Sequence, residues 1–135
     1  MTTDKILALL RFTLGATALV AGADKFTNRL ADWEKYIAPI AERNLPMTPR
    51  DFMRLVGVVE MAVGGLVLSG RTRLGGYIAS AWLLGISANL IATGEYFDIA
   101  ARDVNMAAAA FALAELSRNH AQRQRAPEVE VERAA

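Results

Sequence analysis

The chain has 135 residues, enough for one domain, with 53% hydrophobic residues and a net charge of only +1. It contains no cysteine, which excludes disulfides, thiol redox chemistry, iron–sulfur ligation and a cysteine-based zinc site. Its single histidine, His120, lies in a polar tail, so one copy cannot hold a haem between two histidines, and the few scattered basic residues give nucleic-acid binding no support.

The first hydrophobic segment runs from Lys5 to about Ala23, with Arg11 as its only internal charge. Its rival reading is a cleaved signal peptide, because Ala21-Gly22-Ala23 has the form of an A-x-A cleavage site. Arg11 inside the apolar region, and Asp4 beside Lys5 in the leading region, argue against cleavage. The long connection 24–51 places Trp33, Tyr36, Ile37 and Ile40 at spacings near three and four, among Asp32, Glu34, Lys35 and Glu42. This predicts a short amphipathic helix on a membrane surface, with its aromatic residues at headgroup level. Pro39 is expected to kink or shorten it, and Pro46 and Pro49 to reset the chain.

The second segment covers about 52–69 and carries Arg54 and Glu60. The short Gly70–Arg73 turn predicts an antiparallel helical hairpin with the third segment, 74–94. That third run has no charged residue, and as a helix it spans roughly 30 Å, the thickness of a bilayer's hydrocarbon core. The fourth segment, 103–117, is shorter and alanine-rich. Residues 121–135 are rich in Arg, Gln and Glu, with Pro127, and are expected to fray beyond about residue 122.

In lipid these segments are helical, because an open sheet leaves its edges unsatisfied and the segments are too long for barrel strands. The expected fold class is therefore all-α: an antiparallel four-transmembrane-helix bundle over residues 1–120, with an interfacial helix between the first two spans. A soluble four-helix bundle is opposed by the uncharged third segment. With four spans, Lys5, Arg71, Arg73, Arg118, Arg123, Arg125 and Arg133 share one side. On the other side Lys25, Arg29, Lys35, Arg43 and Arg50 are matched by acids, which predicts both termini in the cytoplasm.

Each segment carries a stripe of small residues with embedded polar ones. These are Arg11, Gly15, Ala18, Gly22 and Lys25; Gly57, Glu60 and Gly64; Trp82, Gly85 and Asn89; and Asn105, Ala108, Ala112 and Glu115. Small residues permit close helix approach and polar ones avoid lipid by facing the interior. The candidate polar interior is therefore Arg11, Lys25, Glu60, Asn89, Asn105 and Glu115. Arg11 lies about 21 Å below Lys25, and Glu115 about 18 Å below Asp103, on a helical rise. Equal depth predicts that Arg11 pairs with Glu115, with Glu60 as its second partner. Two readings stay open: a buried ion pair that sets helix register, or a polar pocket for a quinone headgroup or an anion. A second, interfacial cluster gathers Asp24, Glu95, Asp98, Arg102 and Asp103, where Asp103 is expected to cap the fourth helix and Arg102 to pair with Asp98.

Arg11-x-x-x-Gly15, Gly22-x-x-Lys25-Phe26, Gly57-x-x-Glu60-x-x-x-Gly64, the Gly70–Arg73 turn with Gly75-Gly76, and Asp98 to Val104 together resemble the DoxX family of small four-helix membrane proteins. The resemblance covers about residues 8 to 117. It implies a bacterial inner-membrane protein, in a family linked to quinone-reducing sulfur oxidation and to membrane complexes against oxidative stress. Three functions follow as expectations. The first is a membrane subunit of a redox complex, anchoring a soluble oxidoreductase and lining a quinone site. Any redox group then comes from a bound quinone or a partner, because none is intrinsic. The second is an oligomeric carrier with Glu60 and Glu115 moving protons, and the third is a structural or assembly protein. In all three the lipid bilayer is the first partner.

Overall fold

The computed structural model describes residues 1–134, with side chains through residue 125. Among these the chain forms α1 (Thr3–Asp24), a 3-10 turn (Trp33–Tyr36), α2 (Pro39–Asn44), α3 (Pro49–Leu68), α4 (Thr72–Thr93) and α5 (Phe97–Ala134). The expected interfacial helix is divided in two. Ala38 precedes a proline and is held extended, so the 3-10 turn stops there and Pro39 opens α2 instead of kinking a longer helix. Thr48 and Pro49 start α3, with the Thr48 hydroxyl accepting the Asp51 N–H. Gly94, with φ 78°, closes α4 in the left-handed conformation that glycine adopts at least cost.

The last helix departs most from expectation. It begins at Phe97, with Asp98 in its first turn, and continues unbroken to Ala134. The polar stretch beyond Ser117 is dense in Ala, Gln, Arg and Glu, all good helix formers, so it prolongs the helix where fraying is expected. Asp103 therefore lies inside α5 and caps nothing.

The four long helices pack in a ring. α1 lies mainly on α3 and α4 on α5, while α3–α4 and α1–α5 contacts close the circuit. Neighbours are antiparallel: Gly15 faces Gly64 and Gly22 faces Gly57 across α1 and α3, and Gly76 faces Ala110 and Ala114 across α4 and α5. The central cluster is small: Leu14, Val63, Val67, Ala79, Ala110 and Leu113. Large apolar side chains point outward instead, among them Phe12 (66% exposed), Val20, Leu55, Val58, Leu84, Ile91, Val104 and Phe111. Two helices, α1 and α4, are each long and apolar enough to cross a membrane. Only 11% of the α1 span and 33% of the α4 span is buried within the protein, so water is a poor solvent for the rest.

The α1–α3 contact leaves no room for a side chain. A Cβ on Gly57 would lie 2.5 Å from the Gly22 carbonyl oxygen, and one on Gly22 2.6 Å from that of Gly57. Backbone carbonyls cannot yield as a flexible side chain can. Gly57→Ala is expected to destabilise the protein by about 1–3 kcal/mol. Gly85→Ala, which meets nothing within 4 Å, should leave the unfolding midpoint in detergent unchanged or raise it. Thermal unfolding of the two purified variants checks the contrast.

Candidate functional site

Helical side chains lean toward the N-terminus of their own helix. Lys25, at the C-terminal end of α1, therefore leans into the bundle, whereas Glu60 on α3 leans out toward the α3 start. With Gly22 opposite Gly57, Lys25 stands level with Arg54, and Glu60 lies about 9 Å deeper along α3. The two long side chains close that gap: Lys25 Nζ donates to Glu60 Oε2 at 2.6 Å, with Lys25 3% and Glu60 7% exposed.

The ammonium is covered from above. Trp33 lays its ring 3.7 Å from Lys25 Nζ, a cation–π contact in a desolvated setting. Trp33 is held in turn by Asp24, whose carboxylate accepts four hydrogen bonds. They come from the Thr27 hydroxyl (2.8 Å), Arg29 N–H (3.0 Å), Leu30 N–H (2.9 Å) and Trp33 Nε1–H (2.8 Å). Asp24 thus folds the chain back on itself as soon as α1 ends, and Asn28 takes φ 49° in that turn, which asparagine tolerates better than most residues. From below, Trp82 brings its indole N–H beside Glu60 without reaching hydrogen-bond geometry, so that buried donor is unpaired. Asp103, buried on α5, stands near Glu60 and is neutralised by Arg102, whose Nη2 and Nε both reach Oδ1, at 2.9 and 3.0 Å.

Asn89 ties the lid to the bundle. Its Oδ1 accepts the Ala38 N–H at 3.0 Å and its Nδ2 donates to the Tyr36 carbonyl at 2.6 Å. Tyr36 packs edge-on against Tyr96, and Arg50 joins Glu34 at 3.0 Å. Four helices and the 24–48 connection thus converge on one sealed polar centre, built on Lys25 and Glu60.

Several expected placements differ. Arg11 does not pair with Glu115 or Glu60; it is half-buried at the opposite end of the bundle. Asp4 meets His120 across α1 and α5, so Arg11 and Glu115 stand at similar heights. Glu115, however, turns toward α4, where the Tyr77 hydroxyl and Arg118 hold it. Height along a helix was readable from spacing; direction around it was not. Asn105, Ala108 and Ala112 are exposed, because α5 buries Asp103, Ala107, Ala110 and Ala114 instead. An alanine-rich helix has almost no apolar asymmetry to reveal its inner face. Gly85 is likewise exposed, and Glu95 and Asp98 face outward without joining the centre. Arg102 pairs with Asp103, not with Asp98. Trp82 lies on the stripe that spacing turned inward but was not among the candidate polar residues, and Trp33 is the member that spacing did not assign to the centre; the nine-residue reach from Asp24 to Trp33 is visible only once the turn is folded.

Removing one partner of a buried pair strands the other charge, at a cost of about 3–5 kcal/mol, whereas removing both together is often close to neutral. Lys25→Met and Glu60→Gln are each expected to lower the unfolding midpoint in detergent sharply. The double variant should recover most of the loss. A strictly additive cycle would mean that the two residues do not act as a pair.

Comparison with known proteins identifies the lineage. No curated protein and no solved structure shows significant similarity to the chain. A family model does match, over residues 3–98, and it is that of methylamine utilisation protein MauE, not of DoxX. The match overturns the DoxX resemblance, which rested on small-residue stripes, a tight hairpin and charges near helix ends. Any small helical bundle in lipid uses those features, so their order did not separate one family from another. Because the match spans well over half of the sequence, the chain belongs to the MauE family of membrane proteins.

Proposed function

We propose that the chain is a polytopic membrane component of a methylamine-utilisation system. In this reading all four long helices cross the bilayer and the Lys25–Glu60 centre locks their register. Membership of the MauE family is the observation that carries the system assignment. Oxidative cleavage of the methylamine C–N bond releases two electrons, and a chain without cysteine has no thiol couple to receive them. A partner protein is therefore the natural seat of the redox chemistry, with this chain as its membrane anchor or assembly subunit.

The four-span reading is supported by the ring of antiparallel helices and by the outward-facing Leu55 and Val58 of α3 and Val104 and Phe111 of α5. Termini in the cytoplasm of a bacterial inner membrane are supported by Lys5, Arg71, Arg73, Arg118, Arg123 and Arg125 at one end of the bundle. The structural role of the central pair is favoured over proton transfer by its enclosure. Lys25 is already engaged by a carboxylate and an indole ring, leaving Glu60 little freedom to exchange a proton with water.

Deletion of the gene in a methylamine-growing host is expected to abolish growth on methylamine and spare growth on ammonium with another carbon source. Undiminished growth on methylamine would overturn the system assignment. Complementation with Lys25→Met/Glu60→Gln should restore growth if the pair is a lock; failure of a normally accumulating double variant would make it chemical. The cysteine-free background also permits a clean topology test. A membrane-impermeant maleimide should label Asn44→Cys in spheroplasts and leave Thr2→Cys unlabelled; the reverse pattern inverts the orientation.

A further inference from the structure

At the end of the bundle opposite the Lys25–Glu60 centre, a cavity of about 680 Å³ is wedged between α1, α5 and the α3–α4 turn. Its wall is basic: Arg11 comes from α1, Arg71 and Arg73 from the turn and the start of α4, and Arg118, His120 and Arg125 from α5. Asp4 is the one acid on that wall among the described residues, and it is taken up by His120, 2.9 Å away. Arg118 is occupied by Glu115. Among the described residues, Arg11, Arg71, Arg73 and Arg125 have no acidic partner within ion-pair distance.

The protein's buried charges are treated differently. Lys25 and Asp103 each have a close counter-ion, whereas four guanidinium groups on this cavity have none among the described residues. α4 also begins on its rim. Arg71 at the N-cap supplies no side-chain cap and the first turn holds no acid, so the partial positive charge of the helix start adds to that of the arginines. Guanidinium groups suit phosphate oxygens, which they hold in two-point hydrogen bonds. The wall also has an apolar side, formed by Leu7 and by Leu74, which is half exposed at the cavity edge. Basic head and apolar flank together match an anionic lipid.

We propose that this cavity is a phosphate-binding site whose ligand is the headgroup of an anionic phospholipid. The lipid source rests on the membrane reading above; the anion site does not, since a soluble phosphate compound offers the same chemistry.

The test uses the purified full-length protein in mild detergent, titrated with phosphatidylglycerol, phosphatidylcholine or inorganic phosphate. Binding is followed by native mass spectrometry and by the unfolding midpoint. Phosphatidylglycerol is expected to bind and raise the midpoint where phosphatidylcholine does not. Arg71 and Arg73 are exposed, so Arg71→Gln/Arg73→Gln should fold normally. At about fivefold per basic residue, the pair should weaken phosphatidylglycerol binding roughly 25-fold. Arg11→Gln provides an independent variant from the opposite wall, and Arg29→Gln/Arg43→Gln removes equal charge from the far end. Protection by inorganic phosphate with no effect of phosphatidylglycerol would keep the anion site and remove the lipid. Equal binding of both lipids would overturn the proposal, as would undiminished binding by Arg71→Gln/Arg73→Gln or equal loss in Arg29→Gln/Arg43→Gln. A failure of the membrane reading is separately visible, as release of the protein from native membranes by alkaline carbonate without detergent.

Discussion

The close approach of α1 and α3 is the constraint on which the rest depends. Gly15 against Gly64 and Gly22 against Gly57 bring the two backbones together and fix their register. That register places Lys25 over Glu60 and commits both to burial. A buried pair is not stabilising by itself, because desolvation offsets most of the attraction. What it adds is discrimination: an outward slip of α1 along α3 by one turn, about 5.4 Å, would widen the axial gap between Lys25 and Glu60 beyond the reach of their side chains and leave each charge without a partner. A slip the other way carries Gly22 and Gly57 off one another and sets side chains into the close contact, so the glycines and the ion pair together select one register.

The lid follows from the same point. Because Lys25 ends α1, whatever covers it has to come from the next stretch of chain. Asp24 turns that stretch back by accepting two backbone and two side-chain donors, and this seats Trp33 on the ammonium. Asn89 then fixes the far side of the loop to α4 through two backbone groups of the connection. The 24–48 segment is therefore a roof held at both ends, not a loose surface helix. Below it the packing is inverted relative to a water-soluble bundle, with alanine and glycine between helices and Phe12, Val58 and Phe111 turned outward. Hydrophobic burial cannot hold such helices together in lipid, which leaves close packing and the polar centre to do so.

Much of this was legible in residue spacing. The inner faces of α1 and α3 follow from Gly15, Gly22, Gly57 and Gly64 repeating with a helical period. The hairpin follows from the shortness of the Gly70–Arg73 turn. The partners of the charges did not follow, for two physical reasons. Depth counted from segment ends ignores side-chain lean, which is what joins Lys25 to Glu60 across about 9 Å of axis. Depth also carries no azimuth, so Arg11 and Glu115 could share a height and face different helices. On α5 the difficulty is compositional: Ala107 to Ala110 read alike on every side, and the polar Asn105 marked the outer face, not the inner. Family identity escaped for a related reason, since stripes of small residues report the solvent and the packing mode before they report descent.

The two ends of the bundle bear differently on a carrier mechanism. Proton or solute transfer through Glu60 requires the carboxylate to meet water on each side in turn. On the roofed side that means displacing Trp33 and releasing the Asp24 bonds that position it. Each such hydrogen bond contributes about 1 kcal/mol net, and those to a charged group more. To this is added the cost of leaving Lys25 unpaired, about 3–5 kcal/mol. A sum of this size leaves the open state sparsely populated unless a ligand binds it preferentially. The opposite end has no such cost: its arginines already face a cavity and lack partners among the described residues. The sealed centre suits a fixed scaffold, whereas at the basic end a ligand can bind without breaking anything that holds the bundle together.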